Sequence, residues 1–304
     1  MSASVLTDLP GPKARARHAL YGVIGTIVIL GILGFVIYRL AASGQFDPEL
    51  WSWLEYQQIQ LGILSALLTT LEAFAVGAVL ALVFGALLAA GRLSEHRWVR
   101  IPASFIVELF RAIPLLVLMF MFYFGFNSFG AGFSPFVAVV VSLMLYNGSV
   151  LAEIFRAGIL AVPHGQSEAA YALGMRKTRV MLLILLPQAL RAMLPTIISQ
   201  LVVLLKDTAL GSLVLFQELL YYFRQAIGGQ LEFGQPAVPS AISVAAIYVV
   251  MCLLLSWLAT YLEKRNRRSK KRVVLEGPEA EQVEQIALAS GTEVSGGIQH
   301  DKKQ

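Results

Sequence analysis

Residues 62–90 read GILSALLTTLEAFAVGAVLALVFGALLAA, with Glu72 the only charge in the run. A bilayer core about 30 Å thick is crossed by roughly 20 apolar residues in a helix. This run is longer, so it predicts a helix that tilts or extends past the membrane. Lipid offers no water to pair with backbone amides, which leaves helix as the conformation of such a segment. Five further runs share this character, at about 19–40, 102–125, 133–152, 194–216 and 239–262. The fold class that follows is all-α, a polytopic membrane protein of about six transmembrane helices.

The whole chain fits that reading. Of its 304 residues 57% are hydrophobic and only 14% charged, against about 25% charged in a soluble domain. Mean hydropathy is +0.69. Too few polar side chains remain to cover a soluble globule, and the chain is too apolar for disorder. A single cysteine, Cys252, excludes a disulfide framework and a multi-cysteine metal site. The net charge of +5 does not point to nucleic acid, because its basic residues sit against the apolar runs. Lys13, Arg15 and Arg17 precede the first run, and Lys264, Arg265, Arg267, Arg268, Lys270, Lys271 and Arg272 follow the last. That is the positive-inside pattern.

With the N-terminus in the cytoplasm, Arg92, Arg97 and Arg100 fall inside, as do Arg156, Arg176, Lys177, Arg179 and Arg191. The outside segments, 41–61, 126–132 and 217–238, carry one basic residue, Arg224, against Asp47, Glu49, Glu55, Glu218 and Glu232. Both termini are therefore expected on the cytoplasmic side of the membrane. The organisation expected is a cytoplasmic segment 1–18, a first helix 19–40, which is too long for a signal peptide, and an outer loop 41–61. A transmembrane domain 62–262 and a basic, then disordered cytoplasmic tail 263–304 complete it.

The segment that speaks to function begins at Glu153 and reads EIFRAGILAVPHGQSEAAYALGMRKTRVMLLILLPQALR. It is too long for a tight connection between helices, and such loops usually have a task. Pro163 suits a helix start, Ser167–Leu173 has high helix propensity, and Gly174 can end the helix in a left-handed cap. A short helix at about 163–175, outside the membrane, is expected. Two roles are open on physical grounds: a face docked against another protein, or an amphipathic helix resting on lipid headgroups.

The spacing of Glu168, Ala169, Ala170, Gly174, Ile184, Leu186 and Pro187 is EAA-x3-G-x9-I-x-LP. It resembles the cytoplasmic signature of bacterial ABC import permeases at every fixed position. Phe110-Arg111-Ala112-Ile113-Pro114-Leu115-Leu116, Leu186–Arg191 and Leu205-Lys206-Asp207-Thr208-Ala209-Leu210 are similar to stretches of the polar amino-acid uptake permeases. Asp8–Lys13 and Met144–Ser149 resemble actinobacterial glutamate-uptake permeases. The resemblance covers about 60–262. It implies that 163–175 is a coupling helix seated in a groove of an ATPase subunit. It also implies an ATPase dimer, a second permease half (a heterodimer being favoured over a homodimer), an extracytoplasmic solute-binding protein, and a polar amino acid, glutamate first, as cargo. The chain would bind no cofactor itself, ATP and Mg being used by the ATPase. Glutamine, aspartate and basic amino acids stay open as cargo, as does an ion-coupled secondary transporter.

Polar residues inside the spans are the other signal. Lys206 is expected near mid-bilayer, where an ionisable group costs at least about 2.5–3.5 kcal/mol and needs protein, water or a counter-charge. Thr69, Thr70 and Glu72 lie at comparable depth. Glu72 can neutralise Lys206, or Thr69, Thr70, Lys206, Asp207 and Thr208 can line a substrate path; both readings are open. Glu72 departs from the family pattern, in which a basic or neutral residue often stands. Gly77, Ala81, Gly85 and Ala89 recur every four residues, a small face for packing within the chain or at a dimer seam. Catalytic and metal constellations are not expected. No G-x4-GK-[ST] phosphate loop occurs, and the four histidines have no paired ligand spacing. Asn147-Gly148-Ser149 matches a glycosylation acceptor but falls within a span, and Glu153 and Arg156 suit a local ion pair.

Overall fold

The structure is a computed structural model and describes residues 11–130 and 132–268. Most of the tail expected at 263–304 and the first half of segment 1–18 lie outside the described residues. Among those described, every regular element is helical. In chain order they are α1 (Pro12–Ala42), a 3₁₀ helix (Pro48–Glu55), α2 (Gln57–Arg92), α3 (Arg97–Ala112) and α4 (Leu115–Ser128). Then come α5 (Pro135–Leu160), α6 (His164–Ala172), α7 (Lys177–Val214), α8 (219–228) and α9 (Ala237–Arg268). Helices α1, α2, α5, α7 and α9 are long and apolar enough to cross a membrane, and the bent pair α3–α4 makes up to six. The contacts described below lie within residues 1–259, one compact unit.

Helix α5 is the post around which the bundle is built. Its buried residues include Ala138, Val139, Ser142, Leu143, Asn147, Gly148, Ser149, Leu151 and Ala152. They meet α2 along Ala73, Gly77, Ala81, Gly85 and Ala89. The small-residue face of α2 is therefore spent on packing within the chain. The approach is closest where two glycines cross. A Cβ on Gly85 would lie 2.7 Å from the Gly148 carbonyl oxygen and 3.0 Å from Leu151 Cβ. A Cβ on Gly148 would meet Phe84 at 2.8 Å and the Ala81 carbonyl at 3.1 Å. In lipid, helices associate through such close packing, because the surroundings are as apolar as the side chains. Large apolar residues of α1, α2 and α9 face outward, as lipid-facing surfaces do.

Four features differ from the sequence-based expectation. The third run is not a straight span over 102–125. Ile113 precedes Pro114 and takes an extended conformation (φ −85°, ψ 126°), as a residue before proline is pushed to do. The helix breaks there and turns by 96°. Helix α3 buries Ala103 and Val107 while exposing Trp98, Ile101, Phe105 and Leu109, an amphipathic layout.

The helix of the fifth run does not begin near Pro195. It runs through that proline, starts at Lys177, relaxes to a π turn at Val180–Leu185 and tightens to a 3₁₀ turn at Thr208–Val214. Pro187 cannot donate to Leu183, and its ring crowds that carbonyl, which accounts for the wider π turn beside it.

The outer segment 217–238 is not a solvated loop. After Leu215 reverses the chain at φ 60°, Glu218, Leu219, Phe223 and Ile227 are buried. Segment 41–61 is also structured. Trp53 is fully buried and meets Phe223 edge-on at 5.8 Å.

If the glycine crossing sets the α2–α5 distance, Gly85→Val must force the helices apart. Overpacking of this kind costs typically 1–3 kcal/mol. The expected outcome is a lower melting temperature of the purified protein in detergent, with Gly34→Val, where a side chain meets open space, as the control. Unchanged melting of Gly85→Val would refute the crossing as the closest contact.

Candidate functional site

The loop between α5 and α7 folds as a unit. Helix α6 spans His164–Ala172, close to the expected 163–175. Leu173 ends it, and Gly174 takes φ +75°. Met175 N–H donates to Ala170 O and Gly174 N–H to Tyr171 O, the two bonds of a Schellman cap. Gly174 has open space where a Cβ would stand, so its identity matters for the left-handed backbone rather than for room. Ala170 is buried and holds the helix down, while Glu168, Ala169, Tyr171, Ala172 and Leu173 are exposed. Ile184 and Leu186 are half-buried in and just after the π turn, which packs against α6, and Pro187 is exposed. Gln188 Nε2 donates to Ile184 O at 2.9 Å and reaches Gln166 Oε1 at 3.4 Å. Lys177, just after the cap, pairs with Glu95 in the turn before α3. Lys177 holds the Glu95 carboxyl below its ordinary range. The motif residues thus divide into an exposed face and a packed scaffold beneath it.

The second candidate set separates into wall and lining. Thr70 Oγ1 donates to Ala66 O and accepts from Leu219 N–H at 3.0 Å. Thr208 Oγ1 donates to Leu205 O at 2.6 Å. Both are fully buried, and Thr70 ties the start of α8 to α2. Glu72 and Lys206 are exposed, and no ion pair within 4 Å joins them. Thr69 donates to Ser65 O and lines a cavity of about 490 Å³ with Ser65, Ser134, Gln217 and Tyr222.

Asp207 is half-buried and belongs to a chain of polar contacts. Gln200 Nε2 donates to Asn147 Oδ1 at 2.7 Å, and Asn147 Nδ2 reaches Asp207 Oδ2 at 3.4 Å. Asn147 is fully buried on α5. The sequence reading passed over it as a glycosylation lookalike, although a wholly polar amide inside an apolar run was itself the signal. Glu218 was also missed. Its carboxylate accepts from Leu220 N–H, Tyr221 N–H and Tyr248 O–H, each at 2.7 Å, with no cation beside it. It caps α8 and fastens it to α9.

At the loop end of the bundle a third polar group joins three helices. Arg92 on α2 lies 3.3 Å from Glu108 on α3 and 2.8 Å from Glu153 on α5. Arg156 pairs with Glu153, as its spacing implied. Among the described residues no group of three or more His, Cys, Asp or Glu is placed to hold a metal ion.

Residues 81–268 match the model of the binding-protein-dependent transport system inner membrane component. The chain belongs to that family. It is a membrane permease subunit, and the family's ATPase is a separate subunit. The glutamate transport system permease protein of Corynebacterium glutamicum is 40% identical over 246 residues, 79% of this chain and 89% of that one. A glutamate/aspartate import permease of Escherichia coli O6:H1 is 36% identical over 67% of this chain and 93% of its own length. An L-cystine transport system permease protein of Bacillus subtilis is 36% identical over 68% and 86%. A solved structure, a crystal structure of an amino acid ABC transporter with histidines, superimposes with a TM-score of 0.63. It is 32% identical over 70% of this permease and 98% of that chain.

Replacing Asn147 by leucine leaves Gln200 and Asp207 without their shared partner. A buried polar group left unpaired costs about 1–3 kcal/mol. The expected outcome is a lower melting temperature than that of Thr69→Val, measured in the same detergent.

Proposed function

We propose that this permease is half of the pore of an ATP-driven importer whose cargo is glutamate. The observation that carries the coupling role is the capped helix α6, whose exposed Ala169, Tyr171, Ala172 and Leu173 stand on a packed scaffold. Small residues let a partner's backbone come close, and the two larger apolar ones supply area to bury. Glu168, Ala169 and Gly174 form the part that meets an ATPase subunit, while buried Ala170, with Ile184, Leu186 and Pro187, holds it in place. The glutamate reading is supported by the similarity to the Corynebacterium glutamicum permease along nearly all of that protein's length.

In this reading the loop end is cytoplasmic, since the basic residues concentrate there, and both termini lie on the same side. Binding of ATP with Mg closes the ATPase dimer. That motion pushes the two coupling helices together and turns the permease halves from facing inward to facing outward. A ligand state can shift such an equilibrium only by its differential affinity, and here the closed ATPase dimer supplies it. A second permease, in a heterodimer, completes the pore. An extracytoplasmic solute-binding protein delivers the amino acid. Thr69, Glu72, Lys206 and Asp207 serve the path, with Thr70 and Thr208 as its wall. Exposed Lys206 and Glu72 then face the water of the pore, which resolves the cost of placing charges in lipid.

Uptake of labelled glutamate in a strain lacking this gene, with and without complementation, tests the reading. Excess unlabelled aspartate, glutamine, arginine and histidine serve as competitors. Uptake that returns on complementation and is competed mainly by aspartate is expected, and uptake unchanged by deletion would remove the glutamate assignment. In the same assay Gly174→Asp is expected to abolish uptake while the protein stays in the membrane. A non-glycine residue in the left-handed region is strained by roughly 1–2 kcal/mol, and a charge enters the docking face. Normal uptake by that variant would count against coupling through α6.

A further inference from the structure

Arg111 ends helix α3, one turn beyond Glu108 and two residues before the break at Ile113–Pro114. It borders a cavity of about 440 Å³ lined by Glu153, Ala157 and Gly158 of α5 and by Ala192, Met193 and Thr196 of α7. Small-molecule sites usually fall at about 300–1,000 Å³. The floor is apolar, from Val150, Ile154 and Met193, and the rim is charged.

Of the charged residues only Arg111 and Glu153 line the cavity, and they belong to a larger cluster whose charges do not cancel. Arg92, Arg111 and Arg156 stand against Glu108 and Glu153, so the cluster holds one positive charge in excess. The three guanidinium groups are not equally occupied. Arg156 binds Glu153 with two nitrogens, at 3.1 and 2.5 Å. Arg92 is nearly enclosed and reaches both carboxylates. Arg111 has a single ion contact in the cluster, to Glu108 at 3.9 Å, beyond hydrogen-bond length. Its fork of donors, suited to a carboxylate, stays half-exposed beside the cavity.

We propose that this cavity is a binding site for an amino acid that carries two carboxylates. Arg111 takes one carboxylate in a paired hydrogen bond, Glu153 meets the ammonium, and Thr196 donates to the second carboxylate. The cargo's net negative charge cancels the surplus of the cluster, whereas a neutral amino acid leaves it uncompensated. The site is separate from Thr69, Glu72, Lys206 and Asp207, and it lies at the loop end, where released cargo accumulates. Occupancy therefore makes the permease sensitive to product. This inference rests on the reading of the chain as a glutamate permease.

The test is equilibrium binding of labelled L-glutamate to the complete transporter complex, without ATP or binding protein, in phosphatidylcholine nanodiscs. Wild-type protein, Arg111→Gln and Glu108→Gln are compared. Glu108→Gln removes the ion contact that helps place Arg111, keeps the guanidinium and adds to the positive surplus, so it separates loss of placement from loss of the guanidinium. Saturable wild-type binding is expected, weakened at least tenfold in Arg111→Gln and equal or tighter in Glu108→Gln. L-aspartate should compete and L-glutamine should not.

Equal affinity in wild type and Arg111→Gln, or an equal loss in both variants, would overturn the proposal. So would loss of binding when phosphatidylglycerol is added, which would assign Arg111 to a lipid phosphate. A complex that imports glutamate yet shows no saturable binding here would overturn this site and leave the transport reading standing. A complex that imports no acidic amino acid would overturn the transport reading itself.

Discussion

The crossing of α2 and α5 at Gly85 and Gly148 is the contact on which the rest of this fold depends. Backbone meets backbone there with no room for a side chain. Among apolar helices in lipid, closeness of this kind replaces the hydrophobic drive that assembles a soluble core. It also sets the register of everything α5 carries. Asn147, one residue before the glycine, is aimed at α7 and holds Gln200 and Asp207. Glu153, five residues after it, comes level with Arg92 at the end of α2. One helix thus positions the polar centre within the bundle and the charged cluster at its loop end.

The path and the loop are linked through α7. That helix carries Lys206 and Asp207 toward one end. At the other it carries the proline-relaxed π turn against which α6 is seated, with Thr196 between the two. A π turn holds an extra residue in the helical ladder and often occurs at functional sites. Here it lies between α6 and the spanning part of the same helix, so in the proposed function a displacement of α6 would pass along α7. The Lys177–Glu95 pair adds a tether from the cap of α6 to the turn between α2 and α3. Exposed ion pairs contribute little energy, so this one orients the loop rather than stabilising it.

Much of this was legible in the sequence, because the bilayer imposes simple rules. Five of the six runs are helices near the expected positions, and the loop helix and its glycine cap lie within two or three residues of theirs. Residues 102–125 were misread because hydropathy averages across Ile113–Pro114 and does not report the direction of the chain after a proline. Segment 217–238 reads in sequence only as an outer stretch holding Glu218 and Arg224, and its packing is not legible there. Three local donors satisfy Glu218, and no composition window shows that. Asn147 was legible as an anomaly but not as a partner of Asp207, since their contact spans 60 residues. The Glu72–Lys206 pair was plausible by depth and failed by facing, since depth along two helices does not fix the angle about their axes.

The central claim is that α6 is a docking helix for an ATPase rather than one that rests on lipid. Cys252 is the sole cysteine, so a Cys252→Ser background carrying Ala169→Cys places one thiol on the exposed face of α6. Membranes containing the assembled transporter are treated with a short bifunctional thiol–amine cross-linker. A covalent product with the ATPase subunit, lost when that subunit is omitted, is the predicted result. No cross-link while the ATPase still co-purifies would contradict the account.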